Sequence, residues 1–225
     1  MYTKLVIFDC DGTLVDSQHI IMDAMRETFA ANGVAHVSDA AVRSTVGLSL
    51  DEAIKLLVPQ GTPDHIAELV EAYKSTFYRL RVEQDSGPDP LYEGTREALT
   101  ALDKAGYLLG VATGNSRRGL DRILKEHDLA DMFVTLQTAD GHPSKPHPSM
   151  VLKAVAEAGS TVENTVMVGD TSYDMLMGCK AGAHSLGVNW GYHAVDELLE
   201  AGAKHVASDY AEIPALVRTW VGETS

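Results

Sequence analysis

Lys4-Leu5-Val6-Ile7-Phe8-Asp9-Cys10-Asp11-Gly12-Thr13-Leu14 joins a short apolar run directly to two carboxylates spaced two residues apart. A run of this length ending in polar residues reads as a buried strand. Its two acids then leave the sheet at the carboxyl ends of the strands, the edge along which open α/β sheets bind ligands. Crowding two carboxylates there is unfavourable unless a cation neutralises them or one stays protonated. Gly12 lets the chain turn at once. Taken alone, the pattern is also what an ordinary turn after a strand looks like, because Asp and Gly are common turn residues.

Similar apolar runs recur at 107–112, 134–138, 165–168, 185–188 and 204–207, and with 4–8 they predict six strands. Segments of helical length and period lie between the later ones, at 96–105, 117–127, 148–158, 173–181 and 195–201. Strand and helix therefore alternate, and the expected fold is α/β: a Rossmann-like parallel sheet with helices on both faces. The alternation fails only from 17 to 85. There Ile66, Leu69, Val70, Tyr73, Phe77 and Leu80 follow one another at helical steps along one face. The return passes through Ser86-Gly87-Pro88-Asp89-Pro90, a composition suited to a linker. The expected division is a core of 1–16 and 87–225 with an inserted α-helical cap of 17–86.

Composition narrows the function. The chain has 225 residues, 45% of them hydrophobic, enough for a buried core. Its 18 Lys+Arg against 32 Asp+Glu give a net charge of −14, which repels nucleic acid and anionic membranes. The apolar run at 5–8 is far shorter than a membrane span or the core of a signal peptide. Two cysteines, Cys10 and Cys179, cannot build a disulfide framework, and a reducing cytoplasm is the expected setting. Cys10 should face away from Asp9 and Asp11 along an extended chain.

Three further strand ends carry chemistry. The second ends in Thr113-Gly114-Asn115-Ser116, a hydroxyl and free backbone N–H groups at a helix start, suited to an anion or simply to capping that helix. Lys145 sits between prolines in Gly141-His142-Pro143-Ser144-Lys145-Pro146-His147-Pro148, which stiffen the backbone and position a cation. His142 and His147 have no third ligand that would make a zinc site. The fourth strand ends in Gly169-Asp170-Thr171-Ser172-Tyr173-Asp174, an acidic pair four apart whose bland role is helix capping. In a parallel sheet all these ends share one edge, so the groups converge on a single small anion. The stretch 187–192 should border that site, and Met175, Leu176 and Cys179 should form the buried face of a helix.

Together, Asp9-Cys10-Asp11-Gly12-Thr13, Thr113, Lys145 and Gly169–Asp174, in this order, resemble the haloacid dehalogenase superfamily of hydrolases, and most closely its phosphoglycolate-phosphatase-like branch. The resemblance implies a phosphoric monoester hydrolase acting on a small phosphorylated metabolite. In it Asp9 is the nucleophile that forms an aspartyl-phosphate, and Asp11 protonates the leaving oxygen and then deprotonates water. Mg²⁺ would be held by the Asp9 carboxylate, the Asp11 carbonyl and Asp170, with Asp174 bound directly or at one remove. Thr113, Gly114, Asn115 and Lys145 would hold the phosphoryl group. Arg43 and the Gly47-Leu48-Ser49 turn are the cap's candidate substrate contacts. β-Phosphoglucomutases share this plan but typically carry a cap histidine twelve residues after the nucleophile. That position here is Ile21, and His19 falls two residues early. A phospho-signalling receiver gathers similar groups, but it is shorter and lacks both the insertion and the second acid. A non-catalytic binding module would be expected to lack a motif residue, and none is missing.

Overall fold

The computed structural model describes residues 3–83 and 87–221. Strand β1 (Thr3–Phe8) leads into four helices, α1 (Gln18–Ala31), α2 (Asp39–Arg43), α3 (Leu50–Leu57) and α4 (Pro63–Glu83). After them α5 (Thr95–Lys104), β2 (Leu108–Thr113), α6 (Arg117–Glu126), β3 (Phe133–Thr138), α7 (Ser149–Ala158), β4 (Ser160–Gly169) and α8 (Ser172–Ala181) alternate. The chain closes with β5 (His184–Val188), α9 (Val195–Glu200), β6 (His205–Ala207) and α10 (Ile213–Val221). Six strands form one all-parallel sheet in the order β3-β2-β1-β4-β5-β6. The order reverses between β1 and β4, and a crevice opens at such a point beyond the strands' carboxyl ends.

Alternation along β1 explains why both faces are covered. Val6, Phe8 and Cys10 pack into one core with Leu99, Leu102, Leu120, Ile123 and Val217, side chains of α5, α6 and α10. Leu5 and Ile7 point the other way, onto Met150, Val151 and Ala154 of α7 and Met177 of α8. Cys10 thus shares the phase of Phe8, opposite to Asp9.

The helical stretch has apolar centres of its own. Met22, Met25, Phe29, Val42, Ile54, Ile66 and Leu69 form one, and Ile20, Ala24 and Leu80 another, with Val70, Tyr73 and Phe77 packed alongside. No strand lies among described residues 17–83. Chain entry and exit run side by side: Val15 bridges Leu91, Asp16 N–H donates to Pro90 O at 2.9 Å, and Tyr92 N–H donates to Leu14 O at 3.1 Å. Ser86 of the expected linker lies outside the described residues.

Three details depart from the sequence reading. β4 begins at Ser160, where its leading half alternates exposed and half-buried residues and carries little apolar signal. α10 was not expected, yet Ile213, Val217 and Val221 close one end of the first core. On α8 the buried residues are Asp174, Met175, Met177, Gly178 and Ala181, while Leu176 and Cys179 are exposed. That helix is wedged between the sheet and α9, so it buries two sides and presents a third.

Candidate active site

Asp9 follows β1 directly, and its N–H continues the ladder to Val168 O at 2.9 Å, which places its side chain in the β1/β4 crevice. The carboxylate is buried. Its Oδ1 accepts from Cys10 N–H at 2.7 Å and pairs with Lys145 Nζ at 2.8 Å; its Oδ2 is buried without a partner. Lys145 has no exposed side-chain surface and is held between Asp9 and Asp174 Oδ1, the latter at 2.7 Å. Burial alone would lower the lysine's pKa, but the charges of Asp174 and Asp9 more than reverse this and raise it. Its stem leaves a loop that is tied down at both ends. His142 links Gln137 Oε1 (2.9 Å) at the end of β3 to Ser149 Oγ (2.7 Å) at the start of α7.

Asp170 ends β4. Its Oδ1 accepts from Thr13 Oγ1 at 2.7 Å and its Oδ2 from Tyr192 N–H at 2.9 Å. Burial and the neighbouring Asp174 push its pKa up to about 7. Asp9 is raised as well, by burial, with Lys145 opposing and Asp174 and Asp170 reinforcing. Asp174 does cap its helix: its Oδ2 accepts from Thr171 N–H (3.1 Å) and Oγ1 (2.6 Å) while its own N–H returns to Thr171. Capping and membership of the acidic cluster are therefore combined in one side chain.

One carboxylate oxygen from each of Asp9, Asp170 and Asp174 lies within 4.8 Å of the others. Three buried acids against one lysine leave an excess of negative charge, and the unpartnered Asp9 Oδ2 is an acceptor lacking a donor. An all-oxygen set with a spare acceptor fits a hard divalent cation, Mg²⁺ among them. Both oxygens of Asp170 and both of Asp174 already have partners, so of the three acids only Asp9 presents an oxygen without one.

The remaining expected residues separate into two groups. Asp11 is in the crevice, where Oδ1 accepts from Ser17 Oγ at 2.6 Å and Oδ2 from Asn115 Nδ2 at 3.0 Å. Thr113, at the end of β2, is buried, and its Oγ1 accepts from Asn115 N–H at 3.1 Å. Ser116, not Asn115, caps α6, which frees the Asn115 amide for Asp11. At Gly114 a Cβ would lie 2.5 Å from the carbonyl oxygens of Gly47 and Leu48, so the turn from the helical stretch rests directly on this loop. Arg43 ends α2 and makes no hydrogen bond or ion pair to any of these groups among the described residues, and its Nε is buried without a partner.

Sequence reading missed Ser17, Thr13 and Tyr192 as individual site residues, although 187–192 was expected to border the site. Gly12, with φ +86°, shows why the approach is so close. A Cβ there would lie 2.2 Å from the Tyr192 ring and 2.3 Å from Asp170 Oδ2.

Fold and site together define a doubly wound α/β enzyme whose acidic, lysine-bearing centre sits at the reversal point of the sheet. Residues 6–188 match the haloacid dehalogenase-like hydrolase family, to which the chain belongs, in its phosphoglycolate-phosphatase-like branch. A probable phosphatase, IndB, of Dickeya dadantii (strain 3937) is 34% identical over 93% of this chain and 91% of its own. A phosphoglycolate phosphatase of Vibrio cholerae is 28% identical over 95% and 96%. The crystal structure of a hydrolase from Pseudomonas syringae superposes with a TM-score of 0.84 at 25% identity, covering 97% of this chain and 99% of that one. No described helix is long and apolar enough to cross a membrane.

Proposed function

We propose that this chain is a Mg²⁺-dependent phosphatase that hydrolyses a small phosphate monoester through an aspartyl-phosphate on Asp9. The observation that carries the reading is Lys145, fully buried and bonded at once to Asp9 and Asp174 beside Asp170. A lysine in that position keeps Asp9 ionised as a nucleophile and offers positive charge to an incoming phosphoryl oxygen. Phosphate-monoester hydrolysis is among the slowest uncatalysed biological reactions, so such fixed charge is what the site must supply.

In this reading Asp9 attacks phosphorus in line while the ester oxygen leaves, taking a proton from Asp11. Asp11 then removes a proton from the water that cleaves the aspartyl-phosphate. Thr113 and Lys145, with the N–H of Gly114, hold the phosphoryl oxygens; the Asn115 N–H is already given to Thr113 Oγ1. Asp9, the Asp11 carbonyl and Asp170 would hold Mg²⁺, with Asp174 bound directly or at one remove, and the cation would supply positive charge against the charge building on the transferring group.

Residues 17–86 act as a cap over a core of 1–16 and 87–225. Support comes from the stretch's separate apolar centres, which lie apart from the core's; it meets the core through polar bonds, Ser49 N–H to Ser144 Oγ and Tyr173 Oη to Ser44 O, both 2.9 Å, and through the Arg81–Asp89 pair. Arg43, with its unpaired Nε, is the group to clamp a carboxylate on the substrate. That assignment and the relatives' names together favour a short phosphorylated acid. Ile21, at the position where a mutase would carry histidine, packs with the Ile20, Ala24 and Leu80 cluster. Hydrolysis is therefore favoured over phosphoryl shuttling. Two free cysteines suit a cytoplasmic enzyme.

The test is turnover of p-nitrophenyl phosphate with Mg²⁺ and with EDTA, followed by a panel of phosphorylated metabolites ranked by kcat/KM. Steady Mg²⁺-dependent turnover is expected, with the best substrate bearing a carboxylate. Absence of turnover with every ester and metal would overturn the phosphatase reading.

A further inference from the structure

Tyr192 touches the acidic centre with three of its parts. Its main-chain N–H donates to Asp170 Oδ2 at 2.9 Å, and its ring fills the space above Gly12, between Asp11 and Thr13. Its phenol oxygen lies 3.4 Å from Ser17 Oγ, which is itself 2.6 Å from Asp11 Oδ1. Ser17 has one hydroxyl proton, and Asp11, an acceptor, takes it. The proton between Tyr192 and Ser17 must then come from the phenol, so the chain runs Tyr192 to Ser17 to Asp11. With Asn115 holding the other oxygen, the rotation of the Asp11 carboxylate is fixed at both ends.

We propose that Tyr192 is a positioning residue that aims Asp11 at the leaving-group oxygen, acting through Ser17. The inference rests on the reading of Asp11 as the general acid. Proton transfer needs a heavy-atom approach of roughly 2.6–3.2 Å, and a carboxylate free to turn spends less time within it. The same residue braces Asp170 through its backbone, so the acid and the metal-binding carboxylate keep a fixed relation.

The experiment compares kcat/KM for two esters in wild type, Tyr192→Phe, Ser17→Ala and Asp11→Asn. p-Nitrophenolate leaves readily without a proton; the alkoxide of ethyl phosphate does not. Tyr192→Phe keeps the ring and the backbone bond to Asp170. It should lower kcat/KM about tenfold on ethyl phosphate and less than about twofold on p-nitrophenyl phosphate, with the half-saturating Mg²⁺ concentration unchanged. Ser17→Ala should repeat that selectivity. If Asp11→Asn is selective for the alkyl ester but Tyr192→Phe costs both esters equally, or neither, Tyr192 does not position the acid and the proposal fails alone. If Asp11→Asn itself costs both esters equally, Asp11 is not the leaving-group acid, and the proposal falls with that reading.

Discussion

The sheet edge and the helical stretch inserted after β1 solve opposite problems. At the edge, polar groups are buried and almost every atom is committed: Lys145 to two acids, Asp170 to Thr13 and Tyr192, Asp174 to Thr171 and Lys145. In the helical stretch the interior is apolar and, Arg43 and Arg81 aside, charges lie outside, in pairs such as Arg26–Asp23 and Lys55–Glu52, whose side chains are about half exposed. Buried charges are held in one arrangement because leaving any of them unpaired is costly. Exposed pairs cost little to break. On the proposed reading the chemistry belongs to the region whose charges are locked in place, and substrate choice to the region whose charges are not.

Asp9→Asn tests the rigid half most severely. Turnover should fall by about four orders of magnitude or more, while the melting temperature holds or rises, because a carboxylate crowded by Asp170 and Asp174 has been neutralised. Near-normal turnover would show that the acidic cluster is structural. Lys145→Met removes the one cation from three buried acids. It should abolish activity and destabilise the metal-free protein by about 3–5 kcal/mol in a denaturant titration, whereas Arg26→Ala should leave the midpoint in place. Equal effects of the two substitutions would erase the contrast between the regions.

Much of the rigid half was legible because Asp9, Thr113 and Asp170 sit at the ends of strands or one residue beyond, and the parallel sheet brings those ends together. Lys145 reaches the same place from the loop between β3 and α7, where its prolines, not a strand end, marked it. The groups that hold them were not legible. Ser17 and Tyr192 are 175 positions apart, and neither carries a local signal; their approach follows from two glycines, Gly12 and Gly191, that let a loop settle onto Asp170. Arg43 was singled out for its chemistry alone, and its bond-free Nε follows from packing that no periodicity encodes. α8 misled for the related reason that a helix wedged between two layers has no single buried stripe.

Where the two regions meet, Gly114→Ala should act on the adjustable half. Its methyl would press on the Gly47 and Leu48 carbonyls at 2.5 Å, forcing that turn to retreat from Thr113. KM should rise roughly tenfold, an energy of about 1.4 kcal/mol, with a smaller change in kcat. A fall in kcat at unchanged KM would mean that the turn belongs to the fixed chemistry after all.

The smallest effect concerns how the Lys145 loop is clamped. His142 donates from Nε2 to Gln137, because the Gln137 amide NH₂ is turned toward Thr135 and Glu157, and it accepts at Nδ1 from Ser149. Both bonds suit the neutral ring. Burial lowers its pKa, with Glu157 opposing and Lys153 and His147 reinforcing. A histidine depressed in the folded state binds fewer protons there than in the unfolded chain, so its contribution is complete above about pH 6.5, begins to be lost below it and is gone once pH has fallen through the lower folded value. Asp170 acts in the opposite direction, since proton uptake favours the folded form of a raised carboxyl. The contribution of His142 therefore appears only as a difference between melting curves. Between pH 7.5 and 5, His142→Gln should lose less melting temperature than the wild type, by a few degrees at most. Parallel curves would show that the clamp does not respond to protonation, and that even the loop of the rigid half has slack to absorb a charge.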